Sequence, residues 1–184
     1  PVGPLGLIPL KGMEEFTKKV NNYLVEWRKE RESEHKGTLL FSEYEKDSYI
    51  IKSSISRFGS GEAKGTIEES VRGDDLYLLV DVCNYSMTYS LSGKINHMSP
   101  DDHFQDLKRI IAAIAGKARR INVIMPFLYE SRQHKKTGRE SLDCALALQE
   151  LTNMGVENII TFDAHDPRVQ NAIPLKGFET VQPV

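Results

Sequence analysis

Leu76-Tyr77-Leu78-Leu79-Val80-Asp81-Val82 is the stretch on which the fold turns. Its apolar side chains run almost without the polar alternation of a strand that has one wet face. A strand covered on both sides reads this way, as in a parallel sheet packed between helices. Downstream, Ser99-Pro100-Asp101-Asp102 has the chemistry of a helix start. Serine caps, proline fits the first helical position, and the acids suit the positive end. Phe104, Leu107, Ile110, Ile111 and Ile114 recur at helical spacing until Gly116. Ile121-Asn122-Val123-Ile124-Met125, stopped by Pro126, is a second buried strand. A helix is predicted over 141–154, with Leu142, Ala145, Leu146 and Gln149 on successive turns and Gly155 at its end. Asn158 to Phe162 is a further strand.

Upstream, Pro1 to Leu10 reads as a strand. Met13, Phe16, Val20, Tyr23, Leu24 and Trp27 paint one face of a helix over 13–27. Residues 32–48 are polar and read as a loop or insertion; 49–55 and 63–67 read as strands. Apolar strands alternating with amphipathic helices predict an α/β domain, a parallel sheet with helices on both faces. Ligands of such sheets bind beyond the carboxyl ends of the strands. Chemistry is therefore sought just after residues 82, 125 and 162.

The bulk properties fit this picture. The 184 residues suffice for one sizeable domain, and 40% hydrophobic with 27% charged residues is ordinary globular composition. A net charge of −2 argues against a general nucleic-acid or membrane-surface binder. Cys83 and Cys144 read as free thiols of a reducing compartment. With no apolar run of transmembrane length and no secretory leader, a cytoplasmic location is expected.

Three loops could carry chemistry. Arg132-Gln133-His134-Lys135-Lys136-Thr137-Gly138-Arg139 holds four fixed cations and a histidine within eight residues. Guanidinium forks and ammonium groups suit phosphate oxygens. By composition a solvated basic loop explains this equally well, but its place after a buried strand favours a polyphosphate site. Asp163-Ala164-His165-Asp166 would put Asp163 and His165 on one side of an extended backbone. A carboxylate and an imidazole suit a phosphate-escorting cation such as Mg²⁺, although for an isolated Asp-x-His turn capping with a packed histidine is the favoured reading. Arg57-Phe58-Gly59-Ser60-Gly61-Glu62 makes a tight turn that could expose Phe58 for stacking on a purine. A plain hairpin turn is the commoner reading.

Taken together, Arg57 to Glu62, Glu69-Ser70-Val71-Arg72-Gly73-Asp74-Asp75, Arg132-Gln133, Thr161 to Asp166 and Arg168 to Pro174 resemble the ribose-phosphate pyrophosphokinases. The resemblance runs from about Ser56 to the end and rests on the order and spacing of these motifs. It implies a domain of phosphoribosyltransferase-like type, the first of two, with the active site between them. It further implies that Phe58, Ser60 and Glu62 hold adenine in the site of a neighbouring subunit, and that Arg132 and Gln133, with His134 beside them, contact ATP. His165 would touch the Mg²⁺ of ATP, with Asp163 in the same motif. The implied substrates are ATP and ribose 5-phosphate, and the implied assembly is a homo-oligomer built from dimers, up to a hexamer.

The pattern departs from the family's in three places. His134 stands where the family has Asp, residues 135–141 run Lys-Lys-Thr-Gly-Arg-Glu-Ser, and residues 32–55 read as an insertion. An acidic ribose-phosphate loop is not seen after residue 166. The whole chain, 1–184, is therefore expected to be the single N-terminal, ATP-facing domain, without the ribose-phosphate domain and inactive alone. The rival expectation is a non-catalytic partner subunit on the same fold. A phosphoribosyltransferase is less suited, lacking its acidic loop.

Overall fold

The run beginning at Leu76 forms a strand, Asp75–Leu79, hydrogen-bonded on both sides to parallel neighbours in the computed structural model. The structure describes residues 2–34, 46–132, 138–162 and 177–181. In chain order the elements are β1 (Leu5–Pro9), α1 (Glu14–Ser33), β2 (Ser53–Arg57), β3 (Ala63–Ile67), β4 (Asp75–Leu79), β5 (Thr88–Leu91), β6 (Lys94–His97), α2 (Pro100–Ile114), β7 (Arg120–Met125), α3 (Asp143–Asn153), β8 (Val156–Phe162) and β9 (Gly177–Val181). Five strands make one sheet in the order β1-β4-β7-β8-β9, and every neighbouring pair is parallel. Two separate antiparallel hairpins, β2–β3 and β5–β6, stand beside it.

Successive side chains of a strand point to opposite faces, so β4 feeds two cores. Leu76, Leu78 and Val80 pack with Leu107, Ile110 and Ile114 of α2 and with Leu148 and Leu151 of α3. Leu79, together with Tyr77, packs on the other side with Leu7, Met13 and the Val20, Leu24 and Val25 side chains of α1. One helix on one face and two on the other give the three-layer α/β arrangement expected from the alternation.

Start signals at 99–102 behave as their chemistry predicts. Ser99 Oγ accepts from the Asp102 amide while the Asp102 carboxylate accepts from the Ser99 amide, a reciprocal capping box with Pro100 just inside. The helix stops at Ala115, left-handed at φ 54°, followed by Gly116 at φ 69°.

Four details depart from the sequence reading. First, α1 runs on to Ser33, and only part of the expected face turns inward: Met13, Val20 and Leu24 pack on the core, but the three aromatic rings do not. Phe16, Tyr23 and Trp27 are 42%, 60% and 58% exposed, and the buried residues are Thr17 and Asn21. The cause is a polar tether: Asn21 Oδ1 accepts from the Tyr49 amide at 2.7 Å, and Tyr49 in turn is bonded to Leu7 of β1. Second, the strand expected at 49–55 is only a bridge between Ile50 and Leu7, and the strand proper begins at Ser53. Third, α3 buries Cys144, Ala147, Leu148 and Leu151, whereas Leu146 is 56% exposed. Fourth, the β5–β6 hairpin and β9 had no periodicity that announced them. Of the expected insertion at 32–55, residues 35–45 lie outside the described residues.

Candidate functional site

The carboxyl ends of β4, β7 and β8 form one edge, and the loop leaving β7 is bonded to the end of β8. Past β4, the Val80 amide continues the ladder to the Ile124 carbonyl at 3.0 Å. Asp81 then folds the chain over: its carboxylate accepts from the Cys83 amide at 3.1 Å and its carbonyl from the Asn84 amide at 3.3 Å. Side-chain capping of this kind is why aspartate favours turns. The Asn84 carbonyl meets the buried His103 ring at 2.7 Å, which pins the turn to the first turns of α2. From the other side, Gly12 at φ 98° lies so close to Asn84 that an added Cβ would sit 2.5 Å from the amide nitrogen.

Past β7, the Pro126 carbonyl accepts from the Phe162 amide at 3.1 Å and from Thr161 Oγ1 at 3.3 Å, so this loop is tied to the end of β8. The Ser131 amide donates to the Leu128 carbonyl, and Glu130 adopts φ 57°. Tyr129 stacks on Phe104 of α2 and its hydroxyl donates to Asp101. Burial, then Asp143 and Asp101, push the Glu130 carboxyl above its usual range.

Arg132 is exposed at the end of this loop, and its charge acts on Cys83 across the edge. The Cys83 thiol is pushed up, first by burial and then by Asp81, with Arg132 opposing both. One exposed guanidinium thus stands at the end of the loop after β7, within electrostatic reach of the turn after β4. Such a fork at the carboxyl edge of a parallel sheet suits an anionic ligand. Of the other expected contacts, Gln133, His134, Lys135 and Lys136 lie outside the described residues, as do Asp163 and His165 after β8. Arg139 is exposed. Among the described residues, no group of three or more His, Cys, Asp or Glu side chains could hold a metal ion.

Phe58, Ser60 and Glu62 share the turn of the β2–β3 hairpin, so the plain turn and the exposed aromatic coexist. The Phe58 amide donates to the Glu62 carbonyl at 2.8 Å and the Gly61 amide to the Phe58 carbonyl at 2.9 Å. Ser60 Oγ donates to the Glu62 carboxylate at 3.2 Å. Phe58 itself is 54% exposed. The turn is held by β5–β6 and by α2, while Arg132 is held at the end of β7; within one chain the two are fixed by different neighbours. The sequence reading missed Asp106, a buried acid on α2 that receives Arg57 at 2.6 Å and Arg109 at 2.5 Å. Its signal was present as an acid between Phe104 and Leu107 on the helix's apolar face.

Comparison with known proteins bears on this geometry. The profile of a family described as the N-terminal domain of ribose phosphate pyrophosphokinase matches residues 5–155. The ribose-phosphate pyrophosphokinase of Bacillus caldolyticus is 34% identical over 121 residues, 65% of this chain and 34% of that protein. A putative ribose-phosphate pyrophosphokinase 2 of Streptococcus pyogenes serotype M3 is 32% identical over 133 residues, 71% of this chain and 37% of that one. The chain spans about a third of the length of these relatives. The crystal structure of phosphoribosylpyrophosphate synthetase from Mycobacterium smegmatis superposes with a TM-score of 0.65 at 21% identity, over 97% of this chain and 48% of that chain. It has the same fold. No helix of the described residues is long and apolar enough to cross a membrane.

Proposed function

The chain belongs to the ribose-phosphate pyrophosphokinase family, as a member of its N-terminal domain, and on that premise we propose that it is the ATP-facing half of an enzyme that transfers diphosphate from Mg-ATP to ribose 5-phosphate, yielding phosphoribosyl pyrophosphate and AMP. The observation that carries this reading is the exposed Arg132 at the end of the loop that leaves β7, on the carboxyl edge of the parallel sheet.

In this reaction the anomeric hydroxyl oxygen of ribose 5-phosphate bonds to the β-phosphorus of ATP as the bond from that phosphorus to the α,β-bridging oxygen breaks. Such a displacement asks the protein for alignment and neutralised charge more than for covalent help. Arg132 and Gln133 bind the phosphate chain, with His134 and the lysines beside them adding donors. Phe58 stacks on adenine, while Ser60 and Glu62 address its polar edge. His165 and Asp163, an imidazole and a carboxylate, would by donor chemistry hold the magnesium that accompanies ATP, which would supply neutralisation of phosphate charge. The turn at 58–62 serves a neighbouring subunit, so the working assembly is a homo-oligomer, dimer-based and cytoplasmic with its ATP supply. Ribose 5-phosphate is held by a second domain.

Calorimetric titration of Mg-ATP tests the assignment. Arg132→Ala should weaken binding at least tenfold; loss of one charge-assisted phosphate contact is worth about that. Equal affinity of the two proteins would overturn the reading.

A further inference from the structure

We infer that the β5–β6 hairpin is a brace for the turn at 58–62, and that Tyr89 is the positioning residue through which it sets the angle of Phe58. The inference deepens the nucleotide reading above and rests on it.

Three contacts join the two hairpins. The Arg57 guanidinium lies over the Tyr89 ring, 4.7 Å from its centroid. The Ser92 amide donates to the Gly59 carbonyl at 3.2 Å. Gly61, at φ 93°, lies under Leu91, where an added Cβ would stand 3.2 Å from Cδ1. Arg57 is the hub. Its side chain is 11% exposed, and it donates to the Gly61 carbonyl at 2.8 Å while pairing with Asp106 at 2.6 Å. Both guanidinium edges are thus engaged, one inside the turn and one on α2, and the flat face is covered by Tyr89.

An Arg held this way has little rotamer freedom left. The turn that it grips therefore has a defined pitch, although Phe58, Gly59 and Ser60 are all exposed. A stacking aromatic gains affinity when it is ordered before the ligand arrives, because less entropy is then lost on binding. Without the ring, Arg57 keeps its carboxylate but loses its cover, and Gly61 keeps Leu91 but loses the Tyr89 edge beside it.

The test uses the full chain with two readouts, hydrogen exchange at the Phe58 and Gly61 amides and calorimetric binding of Mg-ATP against Mg-tripolyphosphate. Tyr89→Leu should raise exchange at both amides about tenfold and weaken ATP about fivefold, leaving tripolyphosphate unchanged, in keeping with loss of one cation–π contact. Tyr89→Phe, which keeps a ring, should restore both. Leu91→Ala provides a second, milder variant should Tyr89→Leu fold poorly. Unchanged exchange in Tyr89→Leu and Leu91→Ala would overturn the brace. Phe58→Ala separates the two ideas. If it weakens ATP while the Tyr89 variant does not, the brace fails and the nucleotide reading stands. If Phe58→Ala leaves ATP binding untouched, the adenine reading fails and takes the inference with it.

Discussion

Phe104 and Tyr129 stack with ring centroids 4.3 Å apart and planes 3° from parallel, joining the first turns of α2 to the loop that ends at Arg132. The loop is held on its other side by the Pro126 carbonyl, which receives the end of β8. The Arg132 guanidinium is therefore carried by a braced segment, although it is itself exposed.

Replacing Tyr129 by Ala removes both the ring pair and the bond to Asp101. A destabilisation of about 2 kcal/mol is expected, combining the aromatic pair with partial loss of burial. Tyr129→Phe should cost about 1 kcal/mol, the worth of one hydrogen bond. Thermal unfolding of the two variants measures both.

The Tyr129 hydroxyl is shifted well above the usual tyrosine range, first by burial and then by its bond to Asp101. In the unfolded chain it ionises near pH 10. A raised folded value means that its contribution is fully present below about pH 10 and is lost as pH rises towards the folded value. Absorbance titration near 295 nm should show late ionisation to which Tyr129 and Tyr77, both shifted up, contribute, and Tyr129→Phe should remove the Tyr129 part of it.

Asp106 is 3% exposed and accepts from Arg57 and Arg109 at once. Asp106→Ala leaves two partly buried guanidinium groups without their anion, and about 3 kcal/mol of stability should disappear. Urea unfolding followed by circular dichroism gives the value. An effect below about 1 kcal/mol would mean that solvent satisfies both arginines.

Across the other face of the sheet, Asn122 donates to Asp75 and to the Leu76 carbonyl at 2.9 Å each, and Asn158 donates to Asn122 at 2.7 Å. Asp75 also receives Arg120 through two bonds, at 2.8 and 2.6 Å. Truncation of Asn122 to Ala removes a buried donor from Asp75, which keeps Arg120, and from the Leu76 carbonyl, so a loss of about 1–3 kcal/mol is expected. Asn122→Asp should be worse, since a second carboxylate would face Asp75. Denaturant midpoints of the two variants rank them.

Cys83 is exposed and Cys144 buried. Burial, with Glu130 adding to it, pushes the Cys144 thiol up to about 11. A thiol reagent at pH 8 should therefore label one cysteine in the native chain and two in denaturant. Arg132 favours the Cys83 thiolate, so Arg132→Ala should slow its labelling. Mg-ATP bound at Arg132 should slow it as well; labelling indifferent to Mg-ATP would argue against that site.

Much of the architecture was legible in residue order. The continuous run at 76–82 and its echo at 121–125 required a sheet covered on both faces, and the Ser99 start signals placed α2 to the residue. Short amphipathic helices were legible as helices but not as faces. Phe16 and Trp27 look like core residues by spacing, yet Asn21 points inward because the Tyr49 amide needs an acceptor there. The β5–β6 hairpin, Thr88-Tyr-Ser-Leu and Lys94-Ile-Asn-His, has too little apolar alternation to stand out.

Of the candidate site, the sequence by itself determined the list of groups: Phe58, Ser60 and Glu62 on one turn, and Arg132 after one buried strand. Motif order and loop position along the chain suffice for that, because strand ends in a parallel sheet fall on a common edge. Only the tertiary structure decided what those groups lean on. Arg57 meets Asp106 across 49 positions and Tyr89 on a separate hairpin, and the charge of Arg132 reaches a turn that follows a different strand. Contacts between residues so far apart in the chain depend on how helices and hairpins dock, and no local propensity encodes that.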